Sequence, residues 1–340
     1  MKRFLQRNPG RSGQSLVLHW YKHHRRSLPW RATHNPYRIL ISEIMAQQTQ
    51  ISRVVDFYSA WLKRFPSFKA LASASRADVL RQWSGLGYNN RAVRLHQLAK
   101  EITSKYHGTL PRTIDELLTL PGIGKYTAHA VACFAFGQSV PVVDVNIYRV
   151  VSRMLFRPKK GGKGNVRSAS NVKSEKEIWN AATSLLPKKK ASEWNQALMD
   201  LGSQICTARN PKCGECPLQT QCASAFSRTF HAPSKNSGLR TGTSATKRVI
   251  FNGEKKRKIE PHHNGVPRRI LRGRILKLLH SGPKRFNDIL PMLGENRRAS
   301  KRSTHSSKKF LCDVLTLMKN DGVIEMRGNG TAARISLPEQ

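Results

Sequence analysis

Residues 117–130 read LLTLPGIGKYTAHA, two helical patterns joined by Pro121-Gly122-Ile123-Gly124, and that join is the signature of a helix-hairpin-helix. Glycines let such a turn bring its backbone against a ligand. Consecutive amides at the start of the second helix, with Lys125 beside them, can hold a DNA phosphate through the helix dipole and charge-assisted hydrogen bonds. The contact carries no base-sequence information. Taken alone, the turn is also compatible with an ordinary helical connection.

Charge points to the same partner. Sixty Lys and Arg against twenty Asp and Glu leave a formal net charge of +40 on 340 residues, a field that draws polyanions and releases their counterions. Nucleic acid is expected rather than an anionic membrane, because no basic amphipathic helix with an aromatic face occurs. Residues 1–14 are basic but lack the apolar stretch of an export signal, and no apolar run approaches the roughly 20 residues of a membrane span. A cytoplasmic, DNA-associated protein is expected, and 39% apolar residues suffice for two or three domains.

Up to about residue 225 the chain is a succession of helical patterns, at 37–45, 54–65, 76–85 and 91–106, which predicts an all-α body. Residues 158–174, rich in Lys, Gly, Ser and Asn, interrupt it as a basic loop. Residues 226–266 are short of apolar side chains and carry Lys255-Lys256-Arg257-Lys258, the composition of a flexible basic linker. Residues 267–340 hold three short helical patterns (270–279, 286–293, 310–318), then 323–326, a Gly-Asn-Gly turn at 328–330 and 333–337. Three helices and a β-hairpin predict a small winged-helix-like α+β domain, in which the third helix enters a major groove and the hairpin lies on the backbone.

Two further features carry chemistry. Asp144 follows the apolar run Pro141-Val142-Val143, about twenty residues beyond the hairpin; by itself such an Asp is usually a helix N-cap. Cys206, Cys213, Cys216 and Cys222 form a C-x6-C-x2-C-x5-C array. Without an export signal, the array reads as metal or iron-sulfur ligation rather than disulfides, and four thiolates suit zinc as well as iron.

Taken in order, the helix-hairpin-helix, the Asp and the four cysteines resemble the DNA glycosylase superfamily of endonuclease III, and within it the MutY-type adenine DNA glycosylases. The matching segments are Leu28-Pro29-Trp30-Arg31, Pro36-Tyr37, Ser42-Glu43-Ile44-Met45, Gln47-Gln48-Thr49-Gln50, Gly85-Leu86-Gly87-Tyr88, Asn90-Arg91-Ala92 and residues 195–202, NQALMDLG. Together they cover about residues 15–225. The resemblance implies an all-α helix-hairpin-helix glycosylase core (1–225) whose four cysteines ligate a 4Fe-4S cluster in a loop at 206–222. It also implies removal of adenine mispaired with 8-oxoguanine or guanine from double-stranded DNA.

Cleaving a base from deoxyribose needs a better leaving group and a partner for the positive sugar, so two carboxylates in opposite protonation states suit the task. By resemblance, Glu43 protonates adenine at N7 while ionised Asp144 stabilises the oxocarbenium-like sugar. Trp30, Arg31 and Gln196 match positions lining the flipped-base pocket, and Gln48 and Tyr88 match residues that fill the stack or probe the opposite base. Gly122, Gly124, Lys125 and Asn146 fall among the implied DNA contacts. Tyr126 stands where bifunctional relatives carry a Schiff-base lysine, which implies a monofunctional enzyme.

The chain departs from the family at Ala46, Asn89 and Val145, where Leu, Tyr and Gly are usual, and the usual C-terminal Nudix-like domain is not recognisable. Two other readings stay open: a glycosylase acting on thymine or uracil opposite G, and a DNA-binding regulator without catalysis. A monomer is expected, with protein partners unknown.

Overall fold

The computed structural model describes residues 10–156, 174–226, 260–263, 266–293, 301–328 and 330–339. The basic loop expected at 158–174 and the linker expected at 226–266 lie almost wholly outside them. The chain divides into two compact units, one joining Met1–His34 to Gly124–Gly253 and the other joining Asn35–Ile123 to Glu254–Gln340.

In the first unit, α1 (Gly10–His24) is followed by a short 3-10 turn, Pro29–Ala32. The second unit opens with α2 (Pro36–Ala46), which starts where sequence rules place it: Pro36 stands at the first helical position and the Asn35 side chain accepts from Arg38 N. From Tyr37 to Met45 only Arg38 escapes burial, so this helix is interior on nearly every side. α3 (Ile51–Arg64), α4 (Phe68–Ala72), α5 (Arg76–Trp83) and α6 (Asn90–Lys105) surround it, with Ser67 and Ser75 capping α4 and α5. Their core is aromatic. Trp61 meets Trp83 and Phe65 edge to face at 5.4 and 4.9 Å between centroids, while Tyr37 donates to Phe65 O at 2.6 Å.

α7 (Ile114–Thr119), capped by Thr113, leads into the hairpin, and α8 (Lys125–Phe134) follows it. The first unit then continues with α9 (Val145–Leu155), α10 (Glu175–Ser184) and α11 (Ala191–Gln204). A Ser174–Glu177 capping box starts α10. The core of this unit is formed by Val17, Trp20, Ile147, Val151, Trp194 and Leu198, among others, and Cys206 and Cys216 pack against its edge. The helical body thus follows the expected patterns closely.

The C-terminal part is a small α/β region. Its elements are β1 (His262–His263) paired with β2 (Val266–Pro267), α12 (Arg268–Leu279), β3 (Lys284–Arg285), α13 (Phe286–Ile289), a 3-10 turn at Leu290–Leu293, α14 (Lys301–Asn320), β4 (Glu325–Arg327) and β5 (Arg334–Ser336). The second sheet is antiparallel in the order β3-β5-β4. Three features escaped the sequence reading, the first being the β1–β2 pairing, most of which falls inside the linker expected at 226–266. α14 runs for 20 residues rather than 310–318, because its core-facing row begins at fully buried Ser307 before Leu311, Val314 and Met318, and a serine there hides the apolar period. β3 is two residues long, too short to display alternation.

Candidate active site

The hairpin is built as its glycines suggest. Ile123 N bonds to Leu120 O at 3.2 Å and Ala128 N to Gly124 O at 2.9 Å. Gly122 has φ +82, a left-handed backbone that strains any L side chain, and a Cβ there would meet Arg94 Cβ at 3.2 Å. Gly124 has open space where a Cβ would stand, so a ligand backbone can come close. Exposed Lys125 lies with its ammonium 3.9 Å from the Trp179 ring centroid, and His129, one turn on, meets the same indole edge to face. Half-buried Tyr126 follows it in the first turn of α8.

Asp144 is the N-cap of α9, so the ordinary reading of such an Asp holds here as well. Oδ1 accepts from Asn146 N at 3.0 Å and Ile147 N at 2.7 Å, and Oδ2 accepts from the Asn146 side chain at 2.7 Å. Burial pushes this carboxyl above the ordinary Asp value; the Ile147 and Asn146 donors and the Arg149 charge only partly oppose it. Arg149 ties this helix start to the cysteine loop. Its guanidinium donates to Asn146 Oδ1 at 2.8 Å, to Cys206 O at 2.7 Å and to Gly202 O. Gly202 in α11 must be glycine for packing reasons, since a Cβ there would stand 2.6 Å from Asn146 Cβ. Asn146 is therefore brought to Asp144 rather than left as an independent contact.

One turn further along α9, buried Arg153 donates to Thr207 O at 2.6 Å and Ala208 O at 2.9 Å, with Nη1 3.5 Å from Cys206 Sγ. Cys206, Cys213, Cys216 and Cys222 all line one pocket beside it. Burial, reinforced by the neighbouring sulfurs, pushes the Cys216 thiol up to about 12 and the Cys222 thiol up to about 11. A bound cationic centre would favour the thiolate form of Cys216 and Cys222 against that burial. Among the described residues no three His, Cys, Asp or Glu are spaced for one metal ion. Four cysteines around one pocket match the number of thiolate ligands an iron-sulfur cluster takes.

The pocket-lining candidates of the first unit sit together. Arg31 makes a two-pronged pair with fully buried Asp200, at 2.7 and 2.9 Å, and Arg26 Nε adds a bond of 2.6 Å to the same carboxylate. Burial alone would raise Asp200, but these two arginines hold it below the usual carboxylate range. Arg31 also lies 5.8 Å over the Tyr21 ring, whose hydroxyl donates to Gln196 Oε1 at 2.7 Å. Trp30 is half-buried in the preceding 3-10 turn. Asp200 and Tyr21 were not legible as site residues, because their partners lie about 170 positions away.

In the second unit Glu43 is 9% exposed, on α2 between Ser42 and Ile44. Beyond the helix, exposed Gln48 and 45%-exposed Tyr88 both adopt positive φ, +57 and +51. Side chains other than glycine pay for that conformation, and such strain gathers at working surfaces. Arg91 holds both loops at once, donating to Ile44, Met45 and Gln47 carbonyls at 2.8, 2.9 and 2.6 Å and to Gly87 O at 2.9 Å. Burial lowers its pKa to about 10. The sequence placed Arg91 in a matching segment without assigning it this task.

Residues 41–176 match the HhH-GPD superfamily of base excision DNA repair proteins, and residues 206–222 match the iron-sulfur binding domain of endonuclease III. Residues 206–222, which contain the four cysteines, thus form a 4Fe-4S binding domain. An adenine DNA glycosylase of Mycolicibacterium smegmatis is 48% identical over 59% of this chain and 66% of its own length; one of Mycobacterium tuberculosis is 44% identical over 62% and 67%. The human adenine DNA glycosylase is 36% identical, but the match spans 38% of it. The chain therefore spans about two thirds of the length of these two mycobacterial relatives and far less of the human one. Among solved structures, a thermostable thymine-DNA glycosylase superposes with a TM-score of 0.56 at 33% identity, covering 62% of this chain and 94% of that one. An endonuclease III–DNA intermediate at 24% identity, with a TM-score of 0.52 over 63% of this chain and 94% of that one, shares the fold. No helix among the described residues is long and apolar enough to cross a membrane. With the hairpin, the capped Asp144 and the cysteine pocket in their expected order, the chain belongs to the adenine DNA glycosylase family of the helix-hairpin-helix base excision repair superfamily.

Proposed function

We propose that this protein acts as a monomer on duplex DNA and removes, by hydrolysis, adenine paired with 8-oxoguanine or guanine. The observation that carries this reading is the state of Asp144: its carboxylate is fixed by three donors, yet burial makes its negative charge costly. A positive charge developing on a sugar beside it relieves that cost, which is the form transition-state stabilisation takes in a preorganised site. Asp144 is the group that steadies the oxocarbenium-like sugar, and Asn146 and Arg149 hold it there. Glu43 delivers a proton to N7 of adenine from a buried helix where water does not compete. Tyr126 offers no amine to the sugar, so the product is an abasic site with the strand intact.

Trp30, Arg31 and Gln196 line the flipped-base pocket, and the Asp200 and Tyr21 bonds keep the polar groups of the latter two preorganised. Gln48 and Tyr88 enter the base stack from their strained loops. Gly122, Gly124 and Lys125 grip a backbone phosphate. The cluster folds the 206–222 loop and supplies no acid, base or nucleophile. The C-terminal region is a winged helix; its order of helix, strand, two helices and hairpin, with β3 added to the hairpin sheet, supports that reading.

Single-turnover base release from A·8-oxoG, A·G, T·G and U·G duplexes tests the proposal. Adenine should be released from the first two, and Glu43→Gln and Asp144→Asn should abolish it. The 33% identity to a thymine-DNA glycosylase supports one alternative, and release of thymine or uracil alone would decide for it. Tight binding with no product in any duplex would leave a DNA-binding protein.

A further inference from the structure

Three arginines of the C-terminal region fall in one row. Arg285 of β3 is the register partner of Arg334 of β5, and Arg334 is in turn the partner of Arg327 of β4. Directly paired residues of antiparallel strands share a face, and strands stand about 4.8 Å apart, so the row spans roughly 10 Å. All three are exposed, whereas Ile335, on the opposite face of β5, is fully buried. Like charges directly opposite one another destabilise a sheet. Here that cost occurs at two adjacent pairings.

Among the described residues none of the three takes part in an ion pair, whereas Arg269 and Arg272 of α12 pair with Glu260 and Asp321. The Asp288 carboxylate beside Arg285 accepts the backbone amide of that residue. Glu325 lies two residues from Arg327 on the same face, with Ser336 opposite it, and forms no ion pair among the described residues. Three planar guanidinium groups held in a row by strand register, in a chain of net charge +40, match the spaced phosphates of a nucleic-acid backbone.

We propose that Arg285, Arg334 and Arg327 form a phosphate-binding row, through which the C-terminal region grips duplex DNA independently of the base being excised. The inference rests on the reading that this protein acts on duplex DNA. On α14, exposed Lys308 and Lys309 add positive charge to the same region.

The test measures binding of the full chain to an undamaged duplex across a salt series. Each phosphate contact contributes about 0.9 to the slope of log affinity against log salt. The Arg285→Gln/Arg327→Gln/Arg334→Gln variant should lose about 2.7 from that slope, so a fourfold rise in salt weakens wild type roughly 40-fold more than the variant. Arg334→Gln alone should lose about 0.9, and lysine at all three positions should restore most of the slope. An unchanged slope in the triple glutamine variant overturns the proposal. Adenine release tells the two readings apart: a protein that excises adenine with an unchanged slope refutes the row alone, while a reduced slope without adenine release refutes the glycosylase reading alone.

Discussion

Gly202→Ala adds one methyl group at the point where α11 crosses the start of α9. The new carbon would stand 2.6 Å from Asn146 Cβ, 3.1 Å from its Cα and 3.2 Å from its carbonyl carbon. Carbon atoms pack at about 3.5–4.0 Å, so the first turn of α9 has to retreat by about 1 Å. The contact is with backbone as well as side chain, and no rotamer change relieves it. Overpacking of this kind costs about 1–3 kcal/mol, and alanine in place of a helical glycine returns about 1 kcal/mol. Stability should therefore fall by no more than about 2 kcal/mol, a loss that leaves the chain folded. Activity is far more sensitive, because the turn that moves carries Asp144, and a misplacement of about 1 Å costs on the order of 100-fold in rate. Single-turnover adenine release at saturating protein, alongside the thermal midpoint and the iron-sulfur absorbance, separates the two effects. Gly214→Ala is the control, since nothing lies within 4 Å of a Cβ there. A Gly202→Ala protein that keeps its cluster and excises adenine at the wild-type rate refutes the argument that this crossing sets the position of Asp144.

Asp144→Asn keeps an N-cap acceptor but removes a buried charge. Because the folded carboxyl has a raised pKa, its ionised form penalises the fold above that pKa, and the penalty disappears as pH falls to the ordinary Asp value. The variant should therefore be inactive yet more thermally stable than wild type at neutral pH, with the gain shrinking on acidification; the wild-type rate should also fall as acid protonates Asp144. Arg91→Met leaves the carbonyls of Ile44, Met45, Gln47 and Gly87 without their shared donor. Gly87 O keeps the Trp83 indole as donor, but an unsatisfied buried acceptor costs about 1–3 kcal/mol, so hydrogen exchange in the 46–50 and 85–89 loops should quicken and lesion binding weaken. Arg153→Met deprives Thr207 and Ala208 of their bonds; about 2–4 kcal/mol of lost support should appear as faster bleaching of the cluster absorbance under mild denaturant.

Features encoded over a few consecutive residues could be read directly. Gly122 needs its left-handed backbone whatever surrounds it, Pro36 and Ser75 start helices by local chemistry, and the four cysteines fall within 17 positions. Asp144 could be singled out by its place between the hairpin and the cysteine array, since a cap after an apolar run is by itself ordinary. Features that depend on register could not. Arg149 meets Cys206 across 57 positions, Arg91 meets Ile44 across 47, and Arg31 meets Asp200 across 169. α14 was misjudged in length, because buried Ser307 looks like a surface residue until the helix is placed against its neighbours.

The sequence by itself determined the family, the order of its motifs and the cysteine array of the cluster-binding segment, because each follows from residue type at short spacing. Only the tertiary structure decided what holds Asp144, which arginine ties the two strained loops, and that Arg285, Arg334 and Arg327 stand side by side. Those arrangements depend on helix crossing and strand pairing, where one residue of slip would send each side chain to a different neighbour.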